Sequence, residues 1–303
     1  MKYISILALA FLMSCNNSGI NTESENFAVK TSFSNLDSDL KDYWYNGEAE
    51  ISSYELSQAR YGEMHEGKAV LIFVTEHFSP KSGTKADNPK KDAIPVLKLN
   101  ATKKFNTGIY PYSMMNSTFF PFENGEHSIK ITNTSQEWCG HTFMELENKS
   151  KFKVSLESYF EGESFENKTL AKANLEDDIW SKIRLNPTDL PTGKMEMIPS
   201  FFYLRLRHTE LKAYEVTATL SKIDAEISQY SINYPTLNRT LNIQFETAFP
   251  YKILGWDETY KSGFGENTAT LTTTAKRIKT IKSDYWNKHN NSDKPLRKEL
   301  GLE

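Results

Sequence analysis

Residues 69–76 read AVLIFVTE, and this continuous apolar run decides the fold class. Short runs of this kind, rich in β-branched residues, are typical of a strand in the middle of a sheet. A second apolar run, IPVLKLN (94–100), follows SPKSGTKADNPKKDA (79–93), in which proline, glycine and asparagine favour irregular structure. The two runs predict strands of one sheet, joined by a long polar loop.

Strand patterns extend from this centre in both directions. Upstream, residues 49–56 alternate partly between apolar and polar side chains. Downstream, the strand candidates are 127–133, 137–146, 151–160, 211–221, 226–233, 239–247, 252–260 and 267–275. Several are separated by turn-like spacers, namely 123–125, 147–149 and 261–263. Such close spacing favours antiparallel neighbours, because parallel strands need long crossover connections.

Two helices are predicted. Asp37 or Ser38 caps a short one that carries Leu36, Leu40 and Trp44 on one side. The second covers residues 174–184. Asn174 is its predicted cap, and Pro187 ends it.

The second helix must bury one apolar stripe, formed by Leu175, Ile179 and Ile183. We therefore expect this helix and the following loop, NPTDLPTG (186–193), to cover one end of the sheet. The fold prediction is mainly β, a large curved antiparallel sheet or open barrel with a covering helix and long loop. The C-terminal stretch 276–303 is expected to begin as a strand and to finish as a basic, fraying tail.

The N-terminus reads MKYISILALAFLMSC and predicts an export signal. Lys2 gives a positive start, and the apolar run that follows is too short to span a bilayer. Leu12-Met13-Ser14-Cys15 resembles the lipobox of bacterial lipoproteins. The resemblance implies cleavage of residues 1–14 and lipidation of Cys15. It also implies a location in the cell envelope: a lipid anchor in the outer membrane, with the protein on the periplasmic or surface side.

Composition limits the remaining possibilities. Residues 15–36 are small and polar and predict a flexible tether, whereas 37–303 predict a single β-rich domain. A hydrophobic content of 38% suffices for a core. Removing Lys2 with the signal takes the formal charge from −3 to −4, which argues against nucleic acid as a partner. Only Cys139 remains besides Cys15, so the sequence predicts no internal disulfide.

One cluster, Gln136-Glu137-Trp138-Cys139-Gly140-His141, brings together a thiol, an imidazole and a carboxylate. Cys139 is a candidate nucleophile, and His141 and Glu137 are the candidate residues that would assist it in catalysis. On one strand these three side chains would share a face. The alternative, which we favour, is that Cys139 is buried and inert. No further Cys or paired His completes a metal site, and no motif for a cofactor occurs.

A second cluster, IYPYSMMNSTFFPF (109–122), is too apolar for an ordinary solvated loop. Its residues are core, or they line a cavity for an apolar ligand. The candidate ligand-binding residues of the chain are Tyr110, Tyr112, Met114, Met115, Trp138 and Trp180.

Four stretches resemble a family of uncharacterised bacterial lipoproteins that often carry the label septum formation inhibitor Maf. They are residues 42–63, 103–115, 135–143 (SQEWCGHTF) and 180–193. The arginine-containing Maf pyrophosphatase motif is absent, since the nearest text is Phe78-Ser79-Pro80-Lys81, so no pyrophosphatase site is implied. FPYKILGWDETY (249–260), with the strand-rich layout, is similar to periplasmic proteins of the lipoprotein-carrier type.

These observations favour a membrane-anchored envelope lipoprotein without enzymatic activity. It would bind an apolar or amphipathic ligand, or a partner protein, and would need no cofactor. One alternative is a cell-envelope hydrolase that uses Cys139 and His141. Another is a structural component of the envelope. The binding hypothesis expects a closed apolar cavity under the covering helix.

Overall fold

The computed structural model describes residues 38–87, 92–123 and 125–303. The predicted signal peptide, lipidation site and tether (1–36), together with Asp37, lie outside these residues. The described strands are β1 (Ala49–Arg60), β2 (Glu63–Ser79), β3 (Thr84–Lys85), β4 (Ile94–Thr107), β5 (Tyr110–Pro121), β6 (Lys130–Glu137), β7 (Gly140–Asn148), β8 (Phe152–Ser158), β9 (Phe165–Leu170), β10 (Asn174–Leu175), β11 (Gly193–Ile198), β12 (Tyr214–Lys222), β13 (Ile227–Tyr234), β14 (Arg239–Glu246), β15 (Ile253–Phe264) and β16 (Asn267–Ser283). The helices are α1 (Ser38–Trp44), α2 (Glu176–Leu185), α3 (Phe201–Arg207) and α4 (Pro295–Glu299).

All of these strands belong to one sheet, ordered β10-β11-β12-β13-β14-β15-β16-β1-β2-β4-β5-β6-β7-β8-β9, with β3 paired to β2. Neighbours are antiparallel except β10 and β11. The chain therefore meanders through the sheet, and β16 returns to pair with β1. Two strands that follow each other in sequence, β9 and β10, form the edges. We call the gap between them the seam. The predicted class, a mainly β protein with a large open antiparallel sheet, is confirmed.

The sheet is strongly curved. One core joins side chains from strands far apart in sheet order, such as Phe105 on β4, Ile232 on β13 and Phe245 on β14. A second core joins β6, β7 and β8 to β10, β11 and α3 across the seam. Since a flat sheet would keep these strands apart, the inner face wraps around a common interior.

Helix α2 lies in that interior and not merely over one end. The predicted apolar stripe is buried: Leu175, Ile179 and Ile183 are at most 3% exposed. The first turn is buried as well, in spite of its acidic side chains. The predicted cap was wrong, because Asn174 and Leu175 form β10 and Asn174 Nδ2 donates to the Glu196 carbonyl.

Three other predictions need correction. The predicted strand 137–146 crosses a hairpin turn, because Glu137 ends β6 and Gly140 begins β7. The predicted turn at 261–263 lies within β15, and the chain reverses at 265–266. The C-terminal segment does not fray: Leu300 packs with Ala49, Ile51 and Val74 on the outer face of the sheet. Within the described residues, no helix has the length and apolar character needed to cross a membrane.

Candidate functional site

Cys139 lies at the tip of the β6–β7 hairpin, and its side chain is exposed. The prediction that it is buried was wrong, because the strand pairing places Trp138 and Cys139 in the two-residue turn. The three candidate catalytic side chains do not share a face either. Glu137 is 8% exposed, whereas His141 is exposed one residue into β7.

The surroundings of Cys139 oppose nucleophilic chemistry. The Glu137 carboxylate accepts a hydrogen bond from the Cys139 amide at 2.8 Å. The same carboxylate raises the pKa of the Cys139 thiol through a hydrogen bond and its negative charge. A catalytic cysteine needs the opposite, a lowered pKa and an adjacent base. Among the hydrogen bonds of the described residues, none joins His141 to Cys139.

The interior under α2 is not the closed apolar cavity that the sequence predicts. It holds a cavity of about 40 Å³, which is room for only a few water molecules. Trp180, a predicted ligand-binding residue, lines this cavity beside Trp256, with ring centroids 5.2 Å apart. Charged side chains line it as well, so the small volume and the charges both argue against an apolar ligand here.

An ion-pair cluster forms one wall of the small cavity. Arg239 donates to Glu176 at 2.5 and 2.6 Å and to Glu258 at 2.7 Å. Tyr234 Oη adds a hydrogen bond to Glu176 at 2.7 Å. Buried pairs of this kind hold elements in register when every lone pair and proton is satisfied. The cluster therefore fixes α2 to β13, β14 and β15.

Two further ionisable groups face the same cavity. Burial lowers the pKa of Lys103, whose Nζ lies 5.0 Å from the centroid of the Phe202 ring. Burial raises the pKa of Asp177 to about 7. Perturbed groups in a cleft often mark active sites, but this cavity is too small for a substrate. We assign both groups to the support of α2.

A larger pocket lies beside the seam and has a volume of 290 Å³. Its floor is formed by apolar side chains on the inner face of β7, β8 and β9, on α3 and in the loop after α3, namely Met144, Leu156, Phe165, Leu204 and Leu211. Asn133 lies among them, 2% exposed. Its side-chain Nδ2 donates to Asn116 Oδ1 at 3.3 Å, whereas its side-chain oxygen, Oδ1, accepts no hydrogen bond within the described part of the chain. We call this the seam pocket.

The mouth of the seam pocket is charged. Glu163 pairs with Arg205 at 3.1 Å and with His208 at 2.7 Å. Burial alone would raise the pKa of Glu163, but hydrogen bonding from Ser158 and the charge of Arg205 lower it. Lys168, in contrast, forms no ion pair with any described carboxylate, and its Nζ lies 5.8 Å from the centroid of the Phe165 ring. The Glu210 carboxylate lines the pocket too, and its pKa is lowered by a hydrogen bond from Lys212, by the Lys212 charge and, to a smaller extent, by the charge of Lys168. Among the described residues at the mouth, Lys168 is therefore a cation above the apolar floor that has a carboxylate nearby but no direct ion pair.

A row of exposed apolar side chains lies next to this mouth. Because neighbouring strands are antiparallel, the hairpin turns that follow β15, β1, β4, β6 and β8 all lie at one end of the sheet. Five large exposed side chains lie at or beside these turns, namely Phe264, Tyr61, Ile109, Trp138 and Tyr159. Together with Tyr110 we call them the aromatic rim. Ring centroids are 6.2 Å apart for Tyr61 and Phe264 and 6.4 Å apart for Tyr110 and Trp138.

The structure divides the predicted ligand-binding residues between several places. Tyr110 and Trp138 belong to the aromatic rim, and Tyr112 lies directly beneath it with its ring 5.9 Å from that of Tyr110. Met114 is 1% exposed and Met115 is 40% exposed, and both line an open pocket of about 620 Å³ together with His141. None of the six lines the seam pocket.

Sequence patterns did not predict the residues that line the seam pocket, because the local signals for them are weak or absent. Arg205 stands out by alternating with Phe and Leu in 198–208, but Lys168 carries no local signal. Part of the aromatic rim carries a sequence signal: Tyr61-Gly62 and Gly108-Ile109 combine a turn-forming glycine with a large apolar neighbour.

Within the residues that the structure describes, no group of three or more His, Cys, Asp or Glu side chains could hold a metal ion.

Comparisons with known proteins give little guidance. No protein family matches the sequence, and no curated protein sequence matches it significantly. A beta-barrel-like protein of a domain of unknown function (DUF1849) from Brucella abortus is similar in structure, with a TM-score of 0.45 and 10% sequence identity. The match covers 78% of this chain and 98% of that one.

Proposed function

We propose that the protein is a cell-envelope lipoprotein, anchored through lipid on Cys15, that binds an amphipathic molecule in the seam pocket. The observation that carries the proposal is the combination of an apolar floor with Lys168 at the mouth, a cation that forms no direct ion pair with a described carboxylate. Ligand pockets commonly combine apolar walls with a few polar groups that fix orientation. The seam pocket is close to the lower end of their usual size, about 300–1,000 Å³.

The charges suggest how the ligand would lie. Its apolar chain would contact Met144 and Leu204, which are 7% and 3% exposed. Its anionic end would lie near Lys168, because Arg205 and His208 already share the Glu163 carboxylate. We therefore expect a short-chain amphiphile with a carboxylate or phosphate group.

Titration calorimetry tests the proposal with two compounds, decanoate and its uncharged counterpart decan-1-ol. Each is used at concentrations below its aggregation limit. We expect saturable binding of both. Met144→Trp should abolish it by filling the floor. Phe143→Trp is the matched control, because Phe143 is the adjacent residue on β7 and is 37% exposed. Saturable binding that survives Met144→Trp would exclude the seam pocket as the site.

The mouth can be tested separately. Lys168→Gln should weaken decanoate binding about two- to fivefold, since a partly exposed ion pair contributes about 0.5–1 kcal/mol. The affinity for decan-1-ol should not change. Lys153→Gln, at an exposed lysine on the neighbouring strand β8, is the control. A structural envelope component, one of the two alternative functions, would bind neither compound.

A further inference from the structure

The aromatic rim contains three hairpin turns of unusual composition. Tyr61-Gly62, Gly108-Ile109 and Trp138-Cys139 each form the two-residue connection between paired strands, and none carries a charged residue. Turns are normally polar and rich in Asn, Asp and Gly. Ile109 is 85% exposed and Trp138 is 69% exposed. Three consecutive apolar turns at one end of a sheet indicate a surface that is covered when the protein functions.

The backbone at Tyr61 supports this interpretation. Tyr61 has a φ of +55° and Gly62 a φ of +83°. Asn and Gly are the residues that favour this left-handed conformation in a two-residue hairpin, and a bulky side chain is uncommon there. An aromatic ring is therefore kept at a position where the backbone would favour a small polar residue.

A polar layer lies directly beneath the apolar tips. The hydroxyl groups of Tyr61 and Tyr112 are 2.8 Å apart, and Tyr110 Oη donates to Tyr61 Oη at 3.3 Å. Arg60 Nη2 donates to Tyr112 Oη at 3.2 Å. The end of the sheet is thus amphipathic along its axis, apolar at the tips and polar just below. Trp and Tyr concentrate at the water–lipid interface for the same reason, since each combines an apolar ring with a polar group.

The rim suits a bilayer better than a protein partner. Its side chains stand on separate turns, and adjacent hairpins are about 10 Å apart at the strand spacing of a sheet. The exposed acidic residues beside the tips, Glu63 and Glu266, disfavour an anionic surface. The chain length also permits contact with the anchoring membrane. The segment from Cys15 to Ser38 spans up to about 80 Å, whereas the twelve residues of β1 extend about 40 Å.

We propose that the aromatic rim docks onto the interfacial region of a zwitterionic lipid bilayer, with Ile109, Trp138 and Tyr159 inserted at the level of the head groups. This contact is independent of the seam pocket and of lipid on Cys15. The mouth of the seam pocket adjoins the rim, because the His208 and Phe264 rings are 5.7 Å apart. Docking would bring the mouth to the lipid surface.

The exposed thiol of Cys139 allows a local test in the full-length chain. Cys15→Ser leaves Cys139 as the sole cysteine. An environment-sensitive nitrobenzoxadiazole label on Cys139 is then followed with phosphatidylcholine vesicles, with and without a lipid-borne spin-label quencher. We expect the emission to shift to shorter wavelength and to be strongly quenched, with little dependence on salt. Residues 1–37 are common to all variants, and the label reports only on the rim.

Two isoleucines provide the matched comparison. Ile109→Asp should abolish the spectral shift and most of the quenching. Ile223→Asp should leave both unchanged, because Ile223 is 51% exposed in the β12–β13 turn at the opposite end of the sheet. Emission that stays water-like with vesicles, or equal quenching in the two variants, overturns the proposal. Shielding only in membranes that retain their proteins would also overturn it and identify a protein partner.

Discussion

Arg239, the first residue of β14, holds Glu176, the first residue of α2, through two hydrogen bonds of 2.5 and 2.6 Å. Both side chains are at most 2% exposed. The pair compensates the charge of one of the three acidic residues in the first turn of α2, a helix that lies inside the sheet. It also makes the position of α2 depend on charge balance as well as on apolar contact.

The first prediction concerns this pair. Glu176→Gln should lower the free energy of unfolding by about 3–5 kcal/mol, since removing one partner leaves Arg239 with a buried, partly uncompensated charge. Urea denaturation measures the loss. Glu55→Gln is the control, because Glu55 is 61% exposed in its pair with Lys68 and exposed pairs contribute about 1 kcal/mol or less. Equal losses in the two variants would refute a special role for Glu176.

The second prediction concerns pH. Burial raises the pKa of Asp177 to about 7, well above the ordinary value of an aspartate. The folded state therefore holds this proton more tightly than the unfolded state does. Its contribution to stability is fully present below pH 4 and is lost as the pH rises to about 7. The full shift corresponds to about 4 kcal/mol.

Asp177→Asn should accordingly be more stable than the wild-type protein at pH 8, and the difference should shrink steadily toward pH 5. Thermal unfolding across this range measures it. Asp189→Asn, at an exposed residue just beyond α2, is the control for removal of a carboxylate. A difference for Asp177→Asn that does not change with pH would show that Asp177 is ionised throughout.

The third prediction tests Cys139. Since the Glu137 carboxylate raises the pKa of the thiol, Cys139 should react with a maleimide more slowly than an unperturbed exposed thiol at pH 7.5. Glu137→Gln should increase the rate, because the amide oxygen can still accept the Cys139 N–H while the negative charge is gone. His141→Ala should leave the rate unchanged. A marked decrease with His141→Ala would restore the hydrolase hypothesis.

Sequence patterns predicted some elements of this structure and missed others. The continuous apolar run AVLIFVTE (69–76) predicted β2, because such a run reflects burial directly. The short spacers between the other strand candidates predicted the antiparallel class. The β6–β7 hairpin was missed, because Glu137-Trp138-Cys139-Gly140 lacks the usual turn residues and only the cross-strand pairing creates it. The burial of the 176–178 acidic run depends on Arg239 and Ser128, which lie 50 or more residues away in sequence.

The fourth prediction concerns the anchor. If Cys15 carries lipid, Cys15→Ser should remove the acyl chains, because a serine hydroxyl does not replace the thiol that forms the thioether. Metabolic labelling with a palmitate analogue should report the loss, and the intact mass should no longer include acyl chains. Cys139→Ser is the matched control and should be labelled like the wild-type protein. Equal labelling of Cys15→Ser would exclude this anchor.

The final prediction tests whether α2 only covers the sheet or is enclosed by it. A helix that only covers a sheet can open without unfolding it, whereas a helix enclosed by strands on several sides can leave only when the sheet opens. Ile179 is 1% exposed and belongs to the core shared by α2 and the distant strands. Ile179→Ala should therefore cost about 2–5 kcal/mol. Hydrogen exchange should accelerate equally in α2 and in β14, because both lose protection through one cooperative opening. Leu185→Ala, at a partly exposed residue of the same helix, should have a smaller effect. Faster exchange confined to residues 176–185 would show instead that α2 opens alone, which would make the interior accessible and revive the cavity beneath it as a ligand site.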